Sequence, residues 1–597
     1  MSTVDNSSSF RKIMLIGIVV GIISGIGALL FFWGLKFGTH FVMDSLFGYH
    51  YPMEGQSIES ISGWAPPALI WLIFPVICGG AFLSGLLVYK FAPEAEGHGT
   101  DAAIKAFHGE GKIRWRVPLV KAVASILTIS TGGSAGREGP TAQISAGFGS
   151  IAADALKLSP RERRIALATG IGAGIGTIFK APLGGAILAA EILYTRDFES
   201  EAIMPSFLAS IIGYSIFGFF EGYDPVFGAV GIQWEIAQIP LFLVLGAISA
   251  FVGLLYISTF YGTKRTFNKV FEKYRLPKYL KPVAGAFLIA VLVVSLAYIS
   301  PQTMITALGS LGTGYGFLQL AMYNMLPLSV LLLLPFTKIL TTSFTIGSGG
   351  SGGVFAPGLA IGGAAGGAFG MTLHGLVPQI VPLASVPAFV IVGMIALFGG
   401  IANSPISVMI MVVEMTNDFS LLVPAMGAVA VSNVLTGEKT IFVEQLRTKA
   451  QSPAHRGEYQ VEILEDISAE SAMKKREDLI CLSPDDSWAK MVSIMDQTQH
   501  TGFPVCEDGK LVGIVTHRSA KPEGQSVPII EDVMNTSLYT IYPDSTLEMA
   551  LSIMMEKSLH HLPVVDRDNP DILLGFVTST DIMRSYTRRM NELSKKD

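Results

Sequence analysis

A nine-residue motif occurs twice in this 597-residue chain, and the repetition restricts the fold more than any other feature. Gly132, Gly133, Ser134, Ala135, Gly136, Arg137, Glu138, Gly139 and Pro140 recur as Gly349, Gly350, Ser351, Gly352, Gly353, Val354, Phe355, Ala356 and Pro357; in each copy the proline leads into an apolar helical stretch. A second pair follows in the same order: Ala181, Pro182, Leu183 running to Glu191, and Ser404, Pro405, Ile406 running to Glu414. The spacing is 217 residues from 132 to 349 and 223 from 182 to 405. One unit has been duplicated. Glycine and proline interrupting apolar sequence at corresponding places in two halves point to discontinuous helices that meet at a binding site near a bilayer midplane.

The surroundings of the motifs support a membrane setting. Half of the residues are apolar, mean hydropathy is +0.50 and charged residues make up only 15%, too few to solvate a soluble protein of this length. Apolar runs fall near 13–34, 66–92, 118–130, 140–156, 165–194, 204–220, 238–260, 281–299, 327–346, 354–375, 387–415 and 421–436. Several are shorter than the roughly 20 residues of a full span, so tilted and half-length helices are expected. The reading is a polytopic α-helical membrane domain over 13–445, with repeats at about 13–220 and 238–445, after a short tail at 1–12. The 64 glycines fit close helix packing. The net charge of −5 hides basic loops, Arg161, Arg163, Arg164 and Lys264, Arg265, Lys269, Lys273, Arg275, Lys278, Lys281, which read as cytoplasmic. Cys78, Cys481 and Cys506 show no metal or disulfide spacing. The first apolar run follows Arg11 and Lys12, lacks a small-residue cleavage site and reads as a retained helix.

Composition changes near Glu438. Residues 446–468 read as a polar linker, 469–588 as a soluble module of short strands and amphipathic helices, and 589–597 as a tail. The module is itself a repeat: Thr501, Gly502, Phe503, Pro504, Val505 leading to Gly513, Ile514, Val515, Thr516 matches His561, Leu562, Pro563, Val564, Val565 leading to Gly575, Phe576, Val577, Thr578. Units of about 60 residues bury a core poorly alone, so the two are expected to pack as a pair.

In the 132–140 motif, glycines and a serine precede the helix start. Backbone NH groups without intrahelical partners then face whatever lies at the tip, and with the helix dipole they form an anion site that needs no cationic side chain. The 349–357 copy supplies a second tip. A cation would instead require carbonyl ends or convergent carboxylates.

On three signatures the chain resembles the CLC chloride channels and chloride/proton exchangers: Gly136, Arg137, Glu138, Gly139, Pro140; Gly353, Val354, Phe355, Ala356, Pro357; and Gly97, His98, Gly99. The soluble pair resembles a tandem CBS module. The first resemblance implies an inverted-repeat membrane fold, a homodimer and one anion pathway per subunit. It also implies that the Glu138 carboxylate occupies the external anion position when ionised and leaves when protonated or displaced, as an anion on a tether competing for the same NH groups. Arg137 reads as a structural partner more than as a direct ligand. Val354, Phe355 and Ala356, with Gly136, Gly139 and Gly353, would coordinate the anion through backbone NH. Glu191 and Glu414, at equivalent ends of equivalent helices, read as structural hydrogen-bonding groups. Lys180 is a candidate for drawing anions to the inner mouth.

Three positions depart from the family pattern. The first motif usually reads Gly-Ser-Gly-Ile-Pro; here it is Gly97, His98, Gly99, Thr100, Asp101. His98 can still donate an NH and is cationic at acid pH, whereas Asp101 brings a negative charge close to the site. Phe442 stands where the family has an inner tyrosine and offers no hydroxyl. Ile192 occupies the position of the exchangers' internal proton-carrying acid and cannot relay a proton. That residue favours a chloride channel gated at Glu138 and regulated by the CBS pair; the alternative is a chloride/proton antiporter with weak or water-mediated coupling.

CBS pairs often hold an adenine nucleotide (ATP, ADP or AMP), with Thr on phosphate and Asp on ribose. Thr578 and Asp581 match that pattern; the first unit offers Thr516 with Ser519 in place of the acid, so one site per subunit is expected. His560 and His561 adjoin on a strand entry and are expected to face opposite ways, against a metal site. No nucleophile and base set, P-loop or metal cluster suggests an enzyme or a required cofactor, and no nucleic-acid partner is expected. Chloride and lipid are the expected partners, with the N-terminus and the CBS pair in the cytoplasm.

Overall fold

The computed structural model describes residues 3–228, 231–455, 464–517 and 529–596. It divides into two compact units, Met1–Ala454 and His455–Asp597.

The first unit is helical, and its halves repeat in order and length. The first half runs α1 (Thr3–Thr39), α2 (Ile73–Phe91), α3 (Thr100–His108), α4 (Arg116–Ser130), α5 (Glu138–Ala155), α6 (Pro160–Ile178), α7 (Pro182–Glu191) and α8 (Ser200–Glu221). The second runs α9 (Ile239–Lys273), α10 (Lys281–Ala297), α11 (Pro301–Gly309), α12 (Tyr315–Met322), α13 (Leu328–Ile346), α14 (Phe355–Leu376), α15 (Val386–Ile401), α16 (Pro405–Thr416) and α17 (Leu422–Thr436). Apart from α11, each helix of the second half has a counterpart in the first. Among the described residues, eight helical segments are long and apolar enough to cross a bilayer. They carry large exposed apolar side chains such as Leu30, Ile211, Phe219 and Phe251, the surface expected against lipid. The inner helices are shielded differently: α15 is buried along its whole length. The ten-residue α7 rises only about 15 Å, half a hydrocarbon core, so it depends on protein neighbours at both ends.

Symmetry-related side chains hold the halves together. Glu191 ends α7 and accepts from the first amides of α16, Ile406 N at 3.1 Å and Ser407 N at 2.8 Å. Glu414, near the end of α16, accepts from Leu183 N at 3.1 Å and Gly184 N at 2.8 Å in α7. Each carboxylate thus caps the other repeat's proline-started helix, where unpaired amides and the dipole favour negative charge. Buried Lys121 and Lys338, 217 residues apart, form a further pair. The ammonium of Lys121 donates to Ala95 O and Gly97 O; that of Lys338 donates to Ser310, Leu311 and Gly312 carbonyls.

Two expected boundaries shift. Residues 1–12 are not a separate tail: α1 begins at Thr3, because a nucleated helix propagates through polar residues at little cost, and Lys12 pairs with Glu162 at 2.8 Å. The expected linker 446–468 is packed at both ends. Leu446 and Arg447 carbonyls accept from Thr195 N and Arg196 N on the first unit, and Leu464 is buried in the core of the second. Residues 456–463 lie outside the described residues, as does Ser519 of the expected nucleotide pattern.

The second unit contains two similar halves. A short strand β1 (Lys474–Lys475) comes first; each half then has a hairpin, β2 (Gly502–Glu507) with β3 (Lys510–Thr516) and β4 (His561–Val565) with β5 (Leu573–Thr578), preceded by a helix, α18 (Trp488–Thr498) and α19 (Leu547–Glu556). The β2–β3 turn is the pair Asp508 (φ 49°) and Gly509 (φ 84°), the left-handed backbone a two-residue hairpin needs. The entry segment of each half completes the other half's sheet: Lys474 and Lys475 pair with Phe576 and Gly575, and Asn535 bridges Ile514. This exchange is how two short units share one fold. Helix α20 (Ser579–Lys596) follows β5.

Candidate functional site

The glycine motifs place two helix tips back to back. Gly136 N donates to Gly353 O and Gly353 N to Gly136 O, both at 2.7 Å, a two-bond antiparallel pair joining the tips of α5 and α14. Gly132 (φ 98°) and Gly349 (φ 100°) give both chains the same left-handed turn out of the preceding helix. The helices start at Glu138 and Phe355, two residues before the prolines expected to open them. Proline is tolerated there because a first-turn amide has no intrahelical acceptor. A third chain reaches the junction: a side chain at Gly139 would collide with His98 O, and one at Gly99 (φ 85°) would lie 2.6 Å from Gly139 O.

Glu138 is 1% exposed and turns onto the opposing helix tip. Its Oε2 accepts from Ala356 N at 3.3 Å and its Oε1 from the Tyr315 hydroxyl at 2.7 Å. The carboxylate therefore takes up a first-turn amide of α14. Val354 precedes that helix, and the Phe355 ring packs against Phe179 and Phe398, centroids 4.9 and 4.4 Å away.

Arg137 forms no hydrogen bond with Glu138 among the described residues. Its Nη1 donates to Glu54 Oε1 at 2.9 Å and its guanidinium lies over the Phe32 and Tyr315 rings, at the edge of a cavity. That cavity of about 400 Å³ is lined by three cations, Lys36, Arg137 and Lys180, and three acids, Glu54, Glu221 and Asp224, among apolar side chains. Lys180 thus lines the same cavity as Arg137, whose lining does not include Phe442. It sits at the start of α7, whereas the residue after α7, Ile192, meets the Phe442 segment through Gln445 Nε2 at 3.0 Å from Ile192 O.

A run of aromatic rings extends from the α14 tip: Phe355 to Phe398, Phe398 to Phe442 at 6.2 Å, and Phe442 to the His98 imidazole at 5.7 Å. His98 is 4% exposed; its Nε2 lies 3.0 Å from Asp101 Oδ2, and its Nδ1 is buried with no partner among the described residues. Asp101 Oδ1 also accepts from Glu444 N at 3.3 Å. Ile192 is buried and apolar. Tyr315 and Glu54 were missed in the sequence. The usable signal for Tyr315 was a third repeat pair, Gly97, His98, Gly99, Thr100 against Gly312, Thr313, Gly314, Tyr315; for Glu54, in a loop far from either motif, there was none.

In the second unit, a cavity of about 610 Å³ is lined by residues of both halves, including Lys474, Gly502, His561, Thr578, Asp581 and Arg584. Thr516 is paired in register with Gly502 and is not in its lining, so the cavity gathers Thr578 and Asp581 without Thr516. Asp581 also caps its own helix: its Oδ2 accepts from Thr578 N at 3.0 Å and Thr578 Oγ1 at 2.6 Å, and its N donates to Thr578 Oγ1 at 3.2 Å. His560 and His561 both line this cavity, so they do not face apart as expected; among the described residues no group of three or more metal-binding side chains occurs.

The family model for voltage gated chloride channels matches residues 80–437, and the CBS domain matches 466–520 and 530–588. The chain belongs to the CLC family. A relative in Methanocaldococcus jannaschii, an uncharacterized protein, is 31% identical over 67% of this chain and 93% of its own length. The H(+)/Cl(-) exchange transporter ClcA of Salmonella paratyphi A is 32% identical over 65% of this chain and 81% of its own. The crystal structure of a slow cyanobacterial Cl-/H+ antiporter superposes with a TM-score of 0.58 at 24% identity, over 72% of this chain and 96% of that one. The paired helix tips are thus those of a CLC fold, and this CLC protein transports anions across a membrane.

Proposed function

We propose that this protein exchanges chloride for protons, with Glu138 as the group that meets both ions. The observation that carries the reading is the Glu138 carboxylate on the α14 tip, accepting from Ala356 N and Tyr315. A carboxylate there excludes chloride by occupying its donors, and protonation releases them. The same group therefore gates the anion and takes up the proton. The ClcA relative, named an H(+)/Cl(-) exchange transporter, supports exchange over a channel.

Ile192 is what favours the second reading, a passive channel, because no acid stands at the end of α7 to pass protons on. Under exchange, protons reach Glu138 by another route, and coupling is weak. His98, Gly99, Gly136, Gly139, Gly353, Val354, Phe355, Ala356 and Phe442 line the anion's course in either case, with Arg137 acting through Glu54 and the cavity edge. The protein works as a homodimer in a cell or inner membrane with the N-terminus and CBS pair cytoplasmic, catalyses no covalent reaction and needs no cofactor. An adenine nucleotide at Thr578 and Asp581 regulates it. Purified protein in liposomes under opposed pH and chloride gradients tests the assignment: a reversal potential displaced from the chloride Nernst value supports exchange, and one equal to it at every pH gradient supports the channel.

A further inference from the structure

We propose that His98 and Asp101 form a single proton-binding dyad that makes anion binding beside Phe442 conditional on proton uptake. The proposal goes beyond Glu138 to a second titratable site, and it rests on the transport pathway assigned above.

The argument begins with the two ring nitrogens. His98 Nε2 faces Asp101 Oδ2 at 3.0 Å, and an ionised carboxylate only accepts, so in the neutral imidazole the hydrogen is held on Nε2. Nδ1 then presents a lone pair. It is buried, has no partner among the described residues, and belongs to a ring held between Phe260 and Phe442. Such a nitrogen repels an anion. Added protons reverse this: the imidazolium donates through both nitrogens, Nε2–H to Asp101 and Nδ1–H toward the aromatic-lined space, and the net charge of the dyad rises from −1 to 0. Chloride fits the switched site, being a monovalent acceptor that needs one strong donor and no metal. Histidine is the residue that ordinarily changes charge between pH 5 and 8.

Other charged groups around the dyad do not replace it. Lys121 of α4 donates to Gly97 O at 2.6 Å and to Ala95 O at 3.1 Å, so its hydrogens are engaged by backbone carbonyls. Glu444 pairs with Lys105 at 3.1 Å, and the Tyr261 hydroxyl of α9 donates to Ile441 O. Asp101 is 15% exposed against 4% for His98, and it accepts from Glu444 N. The proton therefore has an entry through Asp101 from the Glu444 segment, the same side as Ile192, where the usual acid is missing. It binds to the dyad as chloride arrives and leaves by the same carboxylate when chloride departs.

The test uses full-length Glu138→Gln protein in detergent, which removes the other carboxylate that competes with chloride. Chloride is titrated calorimetrically between pH 5.5 and 8.5, and proton uptake on chloride addition is followed with an indicator dye in weak buffer. The expected result is an affinity that falls about tenfold per pH unit on the alkaline side, with protons taken up as chloride binds. Adding Asp101→Asn should retain binding, flatten the pH profile and raise affinity at pH 8.5, because an amide can donate to Nε2 and leave the hydrogen on Nδ1. Adding His98→Gln should also abolish proton uptake. A pH-independent affinity in Glu138→Gln, or an unchanged slope after Asp101→Asn, overturns the dyad. A wild-type reversal potential at the chloride value would refute exchange while leaving this linkage intact, so the two failures are distinguishable.

Discussion

Replacing Glu138 by glutamine tests the tethered-anion mechanism most directly. The carboxylate holds two charge-assisted hydrogen bonds, from Tyr315 and from Ala356 N. A charge-assisted bond contributes about 1.5–3 kcal/mol and a neutral one about 0.5–1.5 kcal/mol, so an amide in the same place competes with chloride less well by about 2–3 kcal/mol over the two. At a fixed pH of 7.5 the variant should bind chloride roughly 30- to 140-fold more tightly at this position, by the rule of about 1.4 kcal/mol per factor of ten. Titration calorimetry reads this change. In liposomes the variant should conduct chloride without moving protons, because an amide neither binds nor releases one. Acidifying wild type should carry its chloride affinity toward that of the variant, since protonation removes the same competing charge. An affinity within a factor of three of wild type at pH 7.5, together with intact proton movement, would refute the reasoning.

Glu191→Ala strips two first-turn amides of α16 and the Ser407 hydroxyl of their acceptor inside the protein, so it should lower the detergent-solubilised unfolding midpoint by several degrees more than Glu191→Gln; equal midpoints would show the cap to be dispensable. Full-length Asp581→Ala should lose nucleotide-induced thermal stabilisation while Thr516→Ala keeps it, and a wild type unmoved by millimolar ATP, ADP or AMP would leave the CBS pair without a nucleotide role. The Cys506 thiol and the Arg476 guanidinium, 2.7 Å from Cys481 Sγ, hold the Cys481 thiol down to about 7, whereas its neighbour and burial push Cys506 up. Cys481 should therefore be alkylated by iodoacetamide with a half-maximal rate near pH 7, ahead of Cys506, as followed by peptide mass spectrometry; Arg476→Ala should move that midpoint upward.

The local features of this chain were legible because they depend on short stretches of backbone. Glycine before a helix start, proline in its first turn and the recurrence of both after 217 residues identify two helix tips, and a carboxylate at one of them marks Glu138. Glu191 and Glu414 were readable as structural groups for the same reason, since equivalent positions in a duplicated unit inherit equivalent tasks. Which groups share a space depends on chains that converge from far apart. Arg137 and Glu138 adjoin in the chain, but the guanidinium hydrogen-bonds Glu54, 83 residues earlier. Tyr315 reaches Glu138 across 177 residues, because the third glycine pair brings α12 to the junction. Lys180 lines the Arg137 cavity, because the ten residues of α7 separate its two ends by about 15 Å and the Phe442 segment meets the far one. His98 and Asp101 stood out as departures from a pattern, yet only packing shows Nε2 engaged and Nδ1 buried without a partner. Sequence by itself thus determined the duplicated membrane unit, its anion-favouring tips and the soluble pair, all set by periodicity and backbone chemistry. Tertiary structure decided the partners of each charged side chain, because burial makes every charge find a counterpart and the nearest one in space is rarely the nearest in the chain.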